Sequence, residues 1–190
     1  MQTAFRNIWK NSANRFIISF LGLFLLFYGF NTAFIGIVAP GGVYNAFLDQ
    51  HFNYIVAWRE FCIQSSAKIL TVLGYKVFTN TSRLLVENHA GFKLIYTCLG
   101  YGVMSFFAAF VLAFPRPVKS KIIFLIAGLL MIQALNTARF ILLALYWKRN
   151  LIPFGIDHHT IFNICIYAIL LISIYLWVNT RPKKHAANPA

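Results

Sequence analysis

The stretch IIFLIAGLLMIQALNTARFILLALYW, residues 122–147, decides the fold of this chain. A helix needs roughly 20 apolar residues, at 1.5 Å each, to cross a bilayer core of about 30 Å, and this stretch is long enough. Three polar residues, Gln133, Asn136 and Arg139, interrupt it at intervals of three and so share one side of the helix. Because an arginine in such a segment is costly unless it faces a partner or a polar cavity, the stretch predicts a transmembrane helix with a functional polar stripe.

The rest of the sequence extends this pattern to about four spans. Of the 190 residues, 59% are hydrophobic and 11% are charged, whereas a soluble domain has about 25% charged residues. The predicted fold class is an all-α membrane protein with a membrane-embedded domain at residues 16–178. Its four spans are expected at residues 16–38, 98–114, 122–147 and 160–178.

The distribution of charge predicts the orientation. Lys and Arg number 17 against 4 acids, and basic residues without any acid occupy a leader at 1–15, a loop at 115–121 and a tail at 179–190. By the positive-inside rule these three segments are cytoplasmic, so residues 39–97 and 148–159 face outward. The short basic clusters suit anionic lipid and control of topology, and nucleic acid is not expected as a partner. All acids lie in the two outward connections: Asp49, Glu60, Glu87 and Asp157.

The outer region at residues 39–97 is not a plain loop. Phe47 to Tyr75 is semi-apolar with a plausible polar side, which predicts one or two helices at the membrane surface. The following stretch, FTNTSRLLVENHAGFKLIYTC at residues 78–98, is rich in β-branched and aromatic residues and is broken at Asn88–Gly91. This pattern predicts a short β-hairpin whose second strand leads to Cys98.

Three chemically distinctive residue types meet at one predicted depth. Cys98 begins the second span at its outer boundary. Arg139 lies about 25 Å along the third span, which starts at the cytoplasm. His158 and His159 stand immediately before the fourth span, again outside. A cysteine, an arginine and a histidine from three helices are therefore expected to come together at the outer face.

This combination suits acyl transfer. A thiol attacks a carbonyl as the thiolate, so it needs a cation or a base beside it. A histidine can take the thiol proton and later give it to the leaving amine, and an arginine can favour the thiolate or donate to the oxyanion. Metal ligation is disfavoured, because Arg139 would repel a cation bound by the cysteine and histidines, and no cofactor is expected.

Each residue also has a plainer interpretation. Cys98 can be a packing residue or the partner of Cys62 in a disulfide, and the histidine pair can be interfacial. The third cysteine, Cys165, lies inside an apolar run and is expected to be a small buried hydrophobic residue.

The same residues resemble the motifs of the exosortase/archaeosortase family of membrane-embedded protein-sorting enzymes. Cys98-Leu99-Gly100 is similar to the family's Cys-x-Gly nucleophile motif, and Asn136-Thr137-Ala138-Arg139 matches its Asn-x-x-Arg. Asp157-His158 matches the Asp-His that opens its last motif. The resemblance covers roughly residues 70–175. Leu99 stands where serine is common, the usual glycine after the histidine motif is absent, and many members have about twice as many spans.

The resemblance implies a role for each residue. Cys98 would be the nucleophile, Arg139 its electrostatic partner and His158 the base and acid, with His159 as the alternative to His158. Asn136 and Gly100 would support them.

The implied activity is that of a cysteine peptidase/transpeptidase in the plasma membrane of a bacterium. It would cleave membrane-anchored proteins at their C-terminal sorting signals through a thioacyl intermediate, at the outer face.

Two other classes of function stay open at this point. A non-enzymatic accessory protein for envelope assembly would use Arg139 only for pairing within the bundle. A small transporter would line a path with the Gln133, Asn136 and Arg139 stripe, but the other three spans have few polar residues deep inside.

Overall fold

A computed structural model describes residues 11–39, 43–89, 91–146 and 158–180 of the chain, except the side chains of residues 158–161. The chain divides into two compact units, Met1–Ile152 and Pro153–Ala190. In chain order the elements are α1 (Ser12–Val38), α2 (Ala46–Phe52), α3 (Tyr54–Val72), β1 (Val77–Thr79), β2 (Arg83–Val86), β3 (Phe92–Lys93), a 3₁₀ turn (Tyr96–Leu99), α4 (Tyr101–Ala113), α5 (Val118–Tyr146) and α6 (His158–Asn179).

Four of these segments are long and apolar enough to cross a membrane, which confirms the predicted class. They are α1, the 3₁₀ turn together with α4, α5, and the Phe162–Asn179 part of α6. Many large apolar side chains on them are exposed, such as Leu25 at 67% and Leu130 at 66%. Such faces suit lipid, because contact with acyl chains costs an apolar side chain nothing.

The α5 helix begins four residues earlier than the span predicted from hydropathy. It starts at Val118 and takes in Lys119 and Lys121. Lys121 Nζ donates a hydrogen bond to the carbonyl oxygen of Leu112 at 2.6 Å. A basic side chain at a helix end can reach back to polar groups while its stem stays on apolar surface, so the charge need not end the helix.

The predicted surface segment forms two helices separated by a single residue. The side chain of Asn45 caps α2 by accepting from the amides of Phe47 and Leu48. Asn53 caps α3 by accepting from the amide of Val56. Asparagine at the residue before a helix satisfies amides that have no partner within the helix, which explains why the chain breaks here and restarts.

The predicted hairpin is part of a larger, three-stranded antiparallel sheet in the order β1-β2-β3. Its β2–β3 turn falls at the expected break, where Asn88 and Gly91 have φ angles of 62° and 64°. A second turn, closed by a hydrogen bond from the Asn80 amide to the Arg83 carbonyl at 2.9 Å, adds β1. Asparagine and glycine tolerate the left-handed conformation, so the β2–β3 turn can be recognised in the sequence.

The sheet is attached to the C-terminal half of α5. The Gly91 amide donates to the Ala144 carbonyl at 3.4 Å, and the Phe92 ring stacks on Phe140 with centroids 5.6 Å apart. Leu84 is fully buried in the same core. Since the 3₁₀ turn follows β3 after only two residues, these contacts fix where that turn lies against α5.

The expectation for Cys165 is wrong. This residue lies in α6 with an exposed side chain. In a helix that crosses a membrane the exposed side meets lipid, so an apolar run need not bury each of its residues within the protein.

Candidate active site

The Cys98 side chain is presented by the 3₁₀ turn that follows β3. The Cys98 amide donates to the Ile95 carbonyl at 3.0 Å, and Gly100 then ends the turn with a φ of 83°. The Gly100 carbonyl accepts from the Met104 amide at 2.9 Å and so begins α4. The sulfur is thus held at a junction between sheet and helix, with the Cys98 residue only 8% exposed.

Arg139 contacts the cysteine sulfur directly. Its Nη2 atom donates to Cys98 Sγ at 3.7 Å, and the arginine is 5% exposed. A guanidinium is always charged, and low solvent access strengthens its field at the sulfur. The structure therefore brings together the two residues that the sequence placed at the same depth, with the arginine's positive charge directed at the sulfur.

Asn136 lies one turn before Arg139 on α5 and is 3% exposed. Its Nδ2 atom occupies the space that a Cβ on Gly100 would need. The first and last residues of the Asn-x-x-Arg motif thus contact the two ends of the Cys-x-Gly motif, Gly100 and Cys98.

The remaining residue of the polar stripe binds a second cysteine. Gln133 Nε2 donates to Cys62 Sγ of α3 at 3.3 Å and lies 3.5 Å from Thr137 Oγ1. Burial raises the pKa of the Cys62 thiol, and this outweighs the opposite effect of the Gln133 hydrogen bond. Cys62 and Cys98 are both free thiols, so the structure does not contain the disulfide that the sequence left open.

A second cation, which the sequence did not single out, lies beside the turn. The Arg59 guanidinium carbon of α3 is 5.2 Å from the centroid of the Tyr96 ring, two residues before Cys98. Cation–π contacts of this kind stabilise the groups they join by about 0.5–1 kcal/mol at exposed sites. In the sequence Arg59 was one of several polar residues on the predicted surface helix. No pattern in the sequence indicated that it would contact Tyr96.

An open, largely apolar groove of about 670 Å³ adjoins the start of α4. Tyr101 and Met104, which follow the Cys98 turn, line one side of it. The rest of the lining comes from α1, α3, α4 and α5: Phe27, Asn31, Tyr54, Ala57, Trp58, Phe61, Ser105, Ala108 and Leu129. With so few polar groups, the groove suits apolar side chains and excludes charged ones.

The histidines remain a prediction. His158 and His159 are the first two residues of α6, but their side chains, like the whole of Asp157, lie outside the described residues.

The fold and the Cys98–Arg139 contact define a multi-pass membrane protein with a candidate cysteine site. A family model described as transmembrane exosortase matches residues 11–178, and the chain belongs to this family. No curated protein and no solved structure matches the chain.

Proposed function

We propose that this chain is a cysteine peptidase/transpeptidase that cleaves membrane-anchored proteins at a C-terminal sorting signal. The observation that carries the proposal is the 3.7 Å contact between Arg139 Nη2 and Cys98 Sγ, in a chain of the transmembrane exosortase family. A buried arginine needs a partner of high electron density. A thiolate is such a partner and is also the reactive form of a cysteine nucleophile.

The proposed reaction has two acyl-transfer steps. His158 or His159 takes the thiol proton, the Cys98 sulfur bonds to the substrate carbonyl carbon, and the carbonyl oxygen becomes an oxyanion that Arg139 can stabilise. Breakage of the C–N bond releases an amine, which receives the proton from the histidine and leaves a thioester on Cys98. An acceptor amine or water then attacks the thioester, losing its own proton, and the thiol re-forms.

Membership of the family and the membrane setting support this substrate class. A substrate with its own transmembrane helix would bring its sorting signal to Cys98 within the membrane plane. In the proposed orientation both termini of the chain are cytoplasmic and Cys98 opens to the outer side of the bacterial plasma membrane. None of the described residues that line the groove beside α4 is charged, which is consistent with an apolar substrate segment.

The structure supports this proposal over a transporter. A transport path needs polar groups that face an open channel, whereas Gln133 and Arg139 each donate a hydrogen bond to a cysteine within the protein. An accessory protein is distinguished by experiment, because it does not require the sulfur of Cys98.

The test compares the C-termini of envelope proteins by mass spectrometry in cells that carry the wild-type chain, Cys98→Ala or Cys165→Ala. We expect Cys98→Ala to abolish processing of one or more proteins while the variant still accumulates in membranes. Cys165→Ala is the matched control, because it removes a cysteine whose side chain is exposed on α6. Identical C-termini in all three strains would favour the accessory protein.

The same assay identifies the base. His158→Ala and His159→Ala are tested separately, and one of them is expected to abolish processing while the other retains most of it. Full processing in both variants would remove histidine from the mechanism.

A further inference from the structure

The three-stranded sheet packs on α5 at the depth where the hydrocarbon core of a bilayer ends. Its Gly91 amide donates to the Ala144 carbonyl at 3.4 Å, and its Phe92 ring stacks on Phe140. Along the span predicted at residues 122–147, Phe140 lies about 27 Å and Ala144 about 33 Å from the first residue. Because the core is about 30 Å thick, the sheet lies beside the boundary between acyl chains and headgroups.

One face of the sheet packs in the core, and the opposite face is exposed. Leu84 of β2 is fully buried and pairs with Phe92, whose ring contacts α5. Alternate residues of a strand point to opposite faces, so the two neighbours of Leu84 and their cross-strand partners point away from α5. These four residues form the exposed sheet face: Phe78, Arg83, Leu85 and Lys93.

The exposed sheet face combines apolar and cationic side chains. Phe78 and Leu85 pair with each other and are 61% and 49% exposed. Arg83 and Lys93 are also direct cross-strand partners, and like charges in that arrangement destabilise a sheet. Both features favour contact with a partner that is apolar and also carries negative charge.

Neither cation of the exposed sheet face has a carboxylate partner among the described residues. Lys76, on the same sheet, does have one, since its Nζ lies 3.2 Å from a Glu87 carboxylate oxygen. That contact is the one ion pair in the part of the chain that the structure describes. The anion that would neutralise Arg83 and Lys93 must therefore come from outside these residues.

We propose that the exposed sheet face docks on the anionic headgroup region of the bilayer. Phe78 and Leu85 enter the boundary between headgroups and acyl chains, where aromatic and amphipathic groups are favoured. Arg83 and Lys93 bind a lipid phosphate, which neutralises their mutual repulsion. A bilayer is favoured over a soluble partner because the attachment to α5 places this face at the depth of the headgroups.

Docking of the sheet would also fix the depth of the Cys98 turn. Only two residues separate β3 from the 3₁₀ turn, and the second of them, Ile95, has an extended backbone. A sheet held at the headgroups therefore holds the turn close to the same level. The lipid contact forms whether or not Cys98 acts as a nucleophile, so its test needs no substrate.

The test places a fluorescent probe on the exposed sheet face of the full-length chain. Leu85→Cys, in a chain whose three native cysteines are replaced by alanine, is labelled with nitrobenzoxadiazole and reconstituted in vesicles. The vesicles contain about two parts phosphatidylcholine to one part phosphatidylglycerol. A nitroxide quencher is attached near the headgroup of either lipid or is dissolved in the water. We expect the lipid-borne nitroxides to quench the probe severalfold more strongly than the aqueous one.

Removing the cations should remove the preference for anionic lipid at the probe. This preference is the ratio of quenching by labelled phosphatidylglycerol to quenching by labelled phosphatidylcholine. It should fall by up to about fivefold for Arg83→Gln or Lys93→Gln, the factor for one basic residue beside an anionic surface, and further for the double variant. Lys76→Gln is the matched control, because the charge of Lys76 is already paired with Glu87, and it should keep the wild-type ratio.

A second measurement needs no label and keeps the native cysteines. The melting temperature of the chain is compared in vesicles of phosphatidylcholine alone and in vesicles with one-third phosphatidylglycerol. The wild type and Lys76→Gln should gain more from phosphatidylglycerol than Arg83→Gln/Lys93→Gln does. In phosphatidylcholine alone the double variant should melt at the same temperature as the wild type or higher, because the repulsion is gone. This comparison decides the matter if the labelled chain fails to fold.

Three results would overturn the inference. Stronger quenching by the aqueous nitroxide would place the exposed sheet face in water. Protection of the probe from both kinds of quencher would assign the face to a protein, either a second copy of the chain or a partner. The third is a lipid preference and a melting-temperature gain that are unchanged in Arg83→Gln/Lys93→Gln, which would show that the two cations do not bind the lipid.

Discussion

The Asn136 side chain fills the space beside Gly100 that any other residue at position 100 would require for its Cβ. Gly100 also has a φ of 83°, in the left-handed region that favours glycine. Two independent constraints, one conformational and one steric, thus require glycine at the position two residues after Cys98.

Gly100→Ala should therefore displace the Cys98 turn from α5. We expect processing to fall by more than tenfold and the free energy of unfolding to fall by about 1–3 kcal/mol, because the new methyl group forces either the backbone or Asn136 to move. The matched control is Gly102→Ala, whose Cβ would meet Tyr28 at 3.7 Å, an ordinary contact. Equal losses in the two alanine variants would show that the turn is not held by Asn136.

Arg139 should control both the reactivity of Cys98 and turnover. Arg139→Gln removes the charge beside the sulfur, and loss of one oxyanion donor typically lowers turnover by roughly a hundredfold to a thousandfold. Alkylation of Cys98 by iodoacetamide, measured with Cys62 and Cys165 replaced by alanine, should slow in parallel because the sulfur loses the positive charge beside it. Arg139→Lys should retain part of both activities. Alkylation that is as fast in Arg139→Gln as in the parent would show that the arginine does not affect the reactivity of the Cys98 sulfur.

The sequence predicted the parts of this site that depend on helix geometry. A stripe at intervals of three must share one face of a helix, so the sequence alone places Gln133, Asn136 and Arg139 together. The positions of Cys98 and Arg139 within their spans predicted similar depths in the membrane. A helix has a constant rise per residue, so the number of residues from the start of a span gives the distance along it. The contact between the two side chains agrees with those depths.

The parts that depend on tertiary packing could not be predicted. Nothing in the sequence indicated that Arg59 lies over Tyr96 or that Gln133 donates to Cys62, because each contact joins elements far apart in the chain. The β1 strand was missed although Asn80 and Ser82 favour a turn, because the strand before them has only three residues. The β2–β3 turn was found because Asn88–Gly91 interrupts a run of β-forming residues.

Cys62 should be dispensable for catalysis although it is buried near the site. Burial raises the pKa of its thiol, so at any pH near neutrality a smaller fraction is thiolate than in a free cysteine. We expect Cys62→Ser to process substrates normally or with modest loss, and Cys98→Ser to be inactive. In a chain with Cys98 and Cys165 replaced by alanine, alkylation of Cys62 should be slow and should accelerate only at a higher pH than for a free thiol. Rapid alkylation near neutral pH would contradict the buried position of this thiol.

The packing of α4 on α5 should depend on the absence of a side chain at Gly128. A Cβ there would overlap the ring of Phe107, which is fully buried, so the two helices can approach only because residue 128 is glycine. Gly128→Ala should lower the free energy of unfolding by about 1–3 kcal/mol, the usual cost of overpacking a protein core. The loss should appear as a lower melting temperature of the detergent-solubilised chain. Gly29→Ala is the matched control, because its Cβ would have no neighbour within 4 Å and alanine favours the helix. Replacing Phe107 with leucine in the Gly128→Ala chain should restore much of the lost stability, since the smaller side chain removes the overlap. A double variant no more stable than Gly128→Ala alone would show that the two residues are not in contact.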